Sequence, residues 1–334
     1  MNNNHHAKLA SSEIFALWNT YVNETMALCV LKYFLETVED PEISEVLKNA
    51  KSFSEENIKM VKDIFKAENF PVPQGFTDED VNINAPKLFS DEFLLYYAHL
   101  VGNVTANVDV SMTFCSVRKD LREFFTTCIN SSIGIYNQSM DVLLSKGIYP
   151  RSPAIPIPEH IEMIQKKSFL SGWFGEQRPL SVNEMTMLYY NHWRNAVGYA
   201  LSTGFSQVTS SKQARDYFVH GAEIANHVMD VTRKFMDESN LIISGLTNIM
   251  PTNSTTSPFS DKLLTYHIAA LGGIGIGYYG MSIGLSARRD IGVAYSRLMI
   301  ETMEYSQQGY SIMIENEWIE QPPLAPDRKK LSEK

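Results

Sequence analysis

The chain has 334 residues, 44% hydrophobic and 20% charged: too long for one small domain, and apolar enough for cores of ordinary size. Its 38 Asp and Glu outweigh 29 Lys and Arg, a formal net charge of -9. An acidic surface with no offsetting basic stripe repels phosphate backbones and anionic headgroups, which sets nucleic acid aside as a partner.

Taken from the N-terminus, residues 1–6 lack the charged-then-apolar order of a secretory signal. Ile14, Leu17, Trp18, Tyr21, Leu28, Leu31 and Leu35 recur at steps of three and four, predicting an amphipathic helix over about 11–38. Asp40-Pro41 opens a second helix that carries Ile43, Val46, Leu47, Ile58, Val61 and Phe65 and ends before Pro71. After an acidic loop, Ser90 is positioned to cap a third helix, with Asp91 favourable at its positive end and Phe89 packing on Leu94 as a hydrophobic staple. A fourth helix runs from near Asp120 to Ser145 and stops at Gly147. Cys29, Cys115 and Cys128, odd in number and widely spaced, read as small buried hydrophobes in a reducing, cytoplasmic setting. The segment Arg151–Pro158 and the aromatic stretch Phe169–Gly175 make a stiff linker, expected to pack against the helices.

The plan then repeats. Phe89-Ser90-Asp91 recurs as Phe259-Ser260-Asp261, a shift of 170, and at that shift Arg118 and Asp120 meet Arg288 and Asp290, Glu68 meets Glu238 and Gly102 meets Gly272. Near the start of each copy the shift is 171, so Glu13 meets Glu184 and Phe34 meets Phe205. The second set of helices is expected over about 181–209, 211–240, 260–286 and 289–316. The fold class is therefore all-α: two tandem four-helix bundles, at 8–150 and 180–320, with a linker at 151–179 and a polar tail at 321–334.

Four features invite a functional reading. Leu263 to Ala287 is uncharged and long enough to span a bilayer, but it carries His267 and many glycines, and its counterpart holds Asn103, Asn107 and Asp109; a helix buried among helices is expected, with no membrane span. Within it, Gly275-Ile276-Gly277-Tyr278-Tyr279-Gly280 matches the dinucleotide fingerprint as a string but has no preceding strand. Gly273, Gly277, Gly280 and Gly284 share one face, expected to let another backbone approach closely. Di-iron bundles need Glu-x-x-His on two helices, and no Glu here has a His three residues later. A looser metal set remains in the second copy: His192, His220, Glu223, His227, His267, Glu301 and Glu304, which would hold iron, manganese or zinc. Its first-copy equivalents include Ala50, Phe53 and Gly134, so a solvated or hydrogen-bonded set is the preferred reading, with no cofactor. The repeated pairs Arg118–Asp120 and Arg288–Asp290 are expected to cap the fourth helix of each copy and pair across the turn.

Gly75-Phe76-Thr77-Asp78-Glu79-Asp80-Val81 and Ala85-Pro86-Lys87-Leu88-Phe89-Ser90-Asp91, with Gly204-Phe205-Ser206-Gln207-Val208 and Pro258-Phe259-Ser260-Asp261-Lys262-Leu263, resemble the family known as domain of unknown function 3231, from endospore-forming bacteria. The resemblance covers nearly the whole chain. It implies a ferritin-like fold in tandem and, through single-copy relatives with a spore-coat label, a spore association; no catalytic residues come with it. The expected function is a structural or interaction role without enzymatic activity, its partners protein surfaces or further copies of the chain. The competing expectation is a metal- or small-ligand-binding ferritin-like enzyme that uses the second bundle.

Overall fold

The computed structural model describes residues 7–173 and 177–333, which are helical apart from turns, loops and one isolated antiparallel bridge between Val81 and Phe259. Helices α1 (Ser11–Thr37) and α2 (Pro41–Ala67) form one hairpin, and α3 (Asp91–Cys115) and α4 (Lys119–Ser145) a second. A long crossover, 68–90, joins them, the topology of a ferritin-like bundle. The second bundle repeats it with α5 (Val182–Val208), α6 (Lys212–Asp237), α7 (Asp261–Leu285) and α8 (Arg289–Glu315), and a short α9 (Arg328–Ser332) follows.

Local chemistry sets the helix starts. Asp40 accepts from the backbone N–H groups of Glu42 and Ile43, with Pro41 in the first turn where its missing N–H costs nothing. Ser90 and Ser260 accept from the N–H groups of Phe93 and Leu263. The aspartates beside them do more than face a helix dipole. Asp91 accepts from the N–H groups of Glu39 and Asp40, and Asp261 from Ser210 Oγ and the Ser211 N–H, so each closes the turn of the neighbouring hairpin.

The phenylalanine of each repeat reaches the other half. Phe89 stacks on Phe93 at 4.1 Å and meets Phe205 at 6.4 Å, while Phe259 sets its ring edge-on to Tyr33 at 5.3 Å. The crossovers also pair with each other: the Asn82 N–H donates to Pro258 O at 2.8 Å and the Ser260 N–H to Asp80 O at 3.0 Å. One apolar core runs through both halves, including Phe34, Phe93, Tyr97, Phe205, Phe218 and Leu263. A smaller cluster around Leu17, Phe65 and Phe125 belongs to the first bundle alone, and one around Leu188, Met236 and Tyr295 to the second. The two copies are thus fused through the halves that carry the Phe-Ser-Asp repeats.

Two expectations about packing fail. The linker lies exposed over most of 151–168, with Ile157 at 93% and Ile161 at 94% exposure, because Pro153, Pro156 and Pro158 prevent a helix that could lay an apolar face on the bundles. Among the described residues its end is anchored, where Phe169 lies 3.8 Å under the Arg178 guanidinium and Gly172 sits against Asp290; Phe174 and Gly175 of the aromatic stretch lie outside the described residues. The glycine face of α7 receives no close neighbour among the described residues: Gly277, Gly280 and Gly284 look into open space and Gly273 borders a cavity, since Leu263, Leu264, Ile268 and Tyr279 claim the inner face. Close approach occurs instead at Gly102, where a Cβ would lie 2.9 Å from the Tyr136 backbone nitrogen on α4. Helix α7 is long and apolar enough to cross a membrane by length and composition, and in this structure it packs against α5, α6 and α8.

Candidate functional site

Four charged residues that recur along the sequence meet at one end of each bundle. In the first, Arg118 holds both oxygens of Asp120, at 3.1 and 2.7 Å, and pairs with Glu68. Buried Glu13 accepts from the N–H groups of Ala10, Val117 and Arg118 at 2.8–3.0 Å. In the second, Arg288 holds Asp290 at 3.2 and 2.6 Å with Glu238 at 3.8 Å, and buried Glu184 accepts from the N–H groups of Ser181 and Arg288. Here alone a second arginine is added: Arg178 grips both oxygens of Glu184 at 2.8 Å. Burial by itself would raise the Glu184 pKa, but Arg178 and the backbone donors reverse that and bring it to about 2. Glu13 and Glu184, a hundred residues upstream, therefore occupy the N-terminal turns of α4 and α8, whose Arg118 and Arg288 N-caps offer no side-chain cap of their own. These clusters satisfy backbone donors at the starts of α4 and α8.

The middle of the first bundle is different. Glu24 of α1 accepts from Asn57 Nδ2 at 2.7 Å, and Asp109 of α3 accepts from Ser132 Oγ at 3.0 Å. Neither carboxylate pairs with a cation among the described residues. Burial raises Asp109 to about 7 against the Ser132 hydrogen bond, with the Glu24 charge adding to the rise; burial raises Glu24 as well. Both acids border a cavity of about 320 Å³ between the two halves, walled by α1, α3, α7 and α8. From the second half His267 enters it, 2% exposed, with Nε2 2.9 Å from the Tyr97 hydroxyl and a buried Nδ1 that has no hydrogen-bond partner among the described residues. Burial holds the imidazole near pKa 4 and pushes the Tyr97 phenol up, so both stay neutral at physiological pH.

Glu24, absent from the candidate residues above, is a carboxylate that makes this interior polar. Its signal is periodic: it follows Leu17 and Tyr21 and precedes Leu28 on the same stripe, a carboxylate where the pattern calls for an apolar residue.

The seven residues of the looser metal set do not converge. His192 is buried against Met229 O and Thr232 Oγ1, at 3.2 and 3.0 Å, while His267 belongs to the inter-bundle cavity. His220 is exposed and meets Gln308, Glu223, His227 and Glu304 are exposed, and Glu301 is half-buried on α8. The inner face of α6 is taken by Tyr217, Phe218, Ile224 and Val228, which turns its two histidines and Glu223 outward. Among the described residues, no group of three or more His, Cys, Asp or Glu is placed to hold a metal ion. The Gly275–Gly280 string lies within α7, where no helix N-terminus exists to take a phosphate.

Fold and interior together define the class: a duplicated ferritin-like helical protein with two acids whose pKa burial raises and a neutral histidine facing an inter-bundle cavity. The profile of the family described as Protein of unknown function (DUF3231) matches residues 1–161 and again 168–331, and the chain belongs to that family. Among solved structures, the chain is similar to a "putative spore coat protein" from Bacillus halodurans C-125, with 14% identity and a TM-score of 0.41 over 45% of this chain and 98% of that one. No curated protein matches the sequence.

Proposed function

We propose that the chain is a non-catalytic binding protein that houses a small organic molecule in the cavity between its bundles. The cavity carries the reading: at about 320 Å³ it is roughly twice the size of an engineered protein cavity that binds benzene. Its walls combine aliphatic residues such as Val101, Val108 and Ile274 with Glu24, Asp109 and the free Nδ1 of His267. An apolar body bearing an amine fits best, since the two acids carry no cation of their own. Support for a non-catalytic role comes from His267 and Tyr97, which burial keeps neutral. Nile red titration of the full chain tests the reading: one dye bound per chain, and at least tenfold weaker binding in Ala270→Phe, which narrows the cavity. Undiminished binding in that variant would remove the cavity as the site.

A second reading, self-association, is favoured by Phe114 and Val117 at the end of α3, 85% and 79% exposed. The duplication places Gly284, with open space around it, at the position of Phe114, so one copy offers a ridge where the other offers a groove. Light scattering on Phe114→Ser, Val117→Ser decides it: an assembly that does not fall to monomer rules this contact out.

A further inference from the structure

The middle of the second bundle holds a charge with no counter-charge. Where the first copy has Asn23 and Glu24, the second has Arg194 and Asn195. The Arg194 guanidinium lies 3.9 Å from the centre of the Tyr278 ring and 5.6 Å from that of Tyr190, and its Nη1 donates to Asn191 Oδ1 at 3.2 Å. Its Nε is buried without a partner, and Arg194 makes no ion pair among the described residues. Glu301 of α8 acts on Tyr279 through space but does not pair with the arginine. A buried carboxyl such as Asp109 can take up a proton and lose its charge, whereas a guanidinium keeps its charge in proteins. Aromatic faces offset part of the cost of burying it, and an anion would offset the rest.

Beside Arg194 lies a second cavity, of about 90 Å³. Thr302, 5% exposed, borders it with its hydroxyl beside that of Tyr279, and Asn195 stands next to Arg194 in the wall. Ile224, Ile268 and Leu271 line it as well. One fixed cation, a neighbouring hydroxyl and an aliphatic surface match a single negative charge on a short hydrocarbon. A phosphate dianion would need a second cation that the wall does not provide.

We propose that this cavity binds a small monocarboxylate, its carboxylate against Arg194 and Thr302 and its tail against Ile224, Ile268 and Leu271. The volume, about three-fifths of that of the benzene-binding cavity, suits about three or four carbons. The site is separate from the inter-bundle cavity although the two share Val104 and Leu271 in their walls. Nile red binding in the larger cavity is accordingly expected to be unchanged by Arg194→Met, so either proposal can fail alone.

Titration calorimetry of the full chain with butanoate, butan-1-ol and butylammonium tests the assignment. Butanoate is expected to bind one per chain, the alcohol and the ammonium at least tenfold more weakly. Arg194→Met should weaken butanoate at least tenfold, Arg194→Lys should recover only part of it, and Thr302→Val should weaken it about threefold. Without ligand, Arg194→Met should melt higher than the parent, because the unpaired charge is gone. Should that variant not fold, Thr302→Val and the comparison of butanoate with the alcohol decide the matter. Equal binding of butanoate and butan-1-ol, no butanoate binding, or undiminished binding in both Arg194→Met and Thr302→Val would overturn the proposal.

Discussion

The two bundles agree at their ends and disagree in their middles. At the capped end each keeps the same four charges, Glu13, Glu68, Arg118 and Asp120 matching Glu184, Glu238, Arg288 and Asp290. At mid-height the first copy has Glu24, Asp109 and Ser132 where the second has Asn195, Tyr279 and Thr302, and the second adds Arg194. The end charges satisfy backbone N–H groups at the start of α4 and α8, and those donors exist in any copy of the fold. The mid-height side chains that differ cap no helix start, so they are able to diverge even to opposite charge. In this molecule, retained charge marks architecture and altered charge marks the candidate sites.

The largest expected contrast lies between the two end clusters. Glu184→Gln removes the partner of Arg178 inside a buried cluster and is expected to cost about 3 kcal/mol. Glu13→Gln loses charge-assisted bonds to backbone donors only, about 1 kcal/mol. Urea unfolding of both variants measures this, and equal losses would mean that Arg178 adds nothing. The pH dependence sharpens it. Glu184 has a folded pKa of about 2 against its ordinary 4.5, so its stabilisation is complete above 4.5 and fades as the pH falls toward 2. The difference between parent and Glu184→Gln should shrink over that window.

Next comes the acid in the middle of the first bundle, with the opposite sign. Asp109 ionises near 3.8 when unfolded and near 7 when folded, so stability falls as the pH rises between those values. Asp109→Asn can still accept from Ser132, and it should be about 2 kcal/mol more stable than the parent at pH 8 and nearly equal at pH 4. Unfolding curves at the two pH values check this; a slope that survives in the variant would locate the proton elsewhere. The smallest effect is expected on the outer face of α7. Gly280 looks into open space and its first-copy counterpart is Val110, so Gly280→Ala should gain about 0.5–1 kcal/mol in thermal melts. A loss would show that something covers the face.

The helices were legible because apolar residues at steps of three and four and serine or aspartate caps act over one or two turns. Expected and observed boundaries agree within about three residues at nearly every end. The duplication was legible as a constant shift. Other features were only half legible. Recurrence singled out Glu13, Glu68, Arg118 and Asp120, yet their meeting at one end depends on how three helices stack. The Phe-Ser-Asp repeat read as a local staple and cap, but Phe89 and Phe259 reach across to the other half and the aspartates close a neighbouring turn. The looser metal set failed because His220, Glu223 and His227 share a face of α6 that points outward.

Helix identity, caps and the copied plan follow from interactions within a few residues of each other, and the amino-acid order determines them unaided. Which faces turn inward, how the crossovers exchange partners, and the uncompensated Glu24, Asp109 and Arg194 at the bundle centres were decided in three dimensions. Burial and the nearness of a counter-charge are properties of the packed chain, and the residues that supply or withhold them lie up to 170 positions apart.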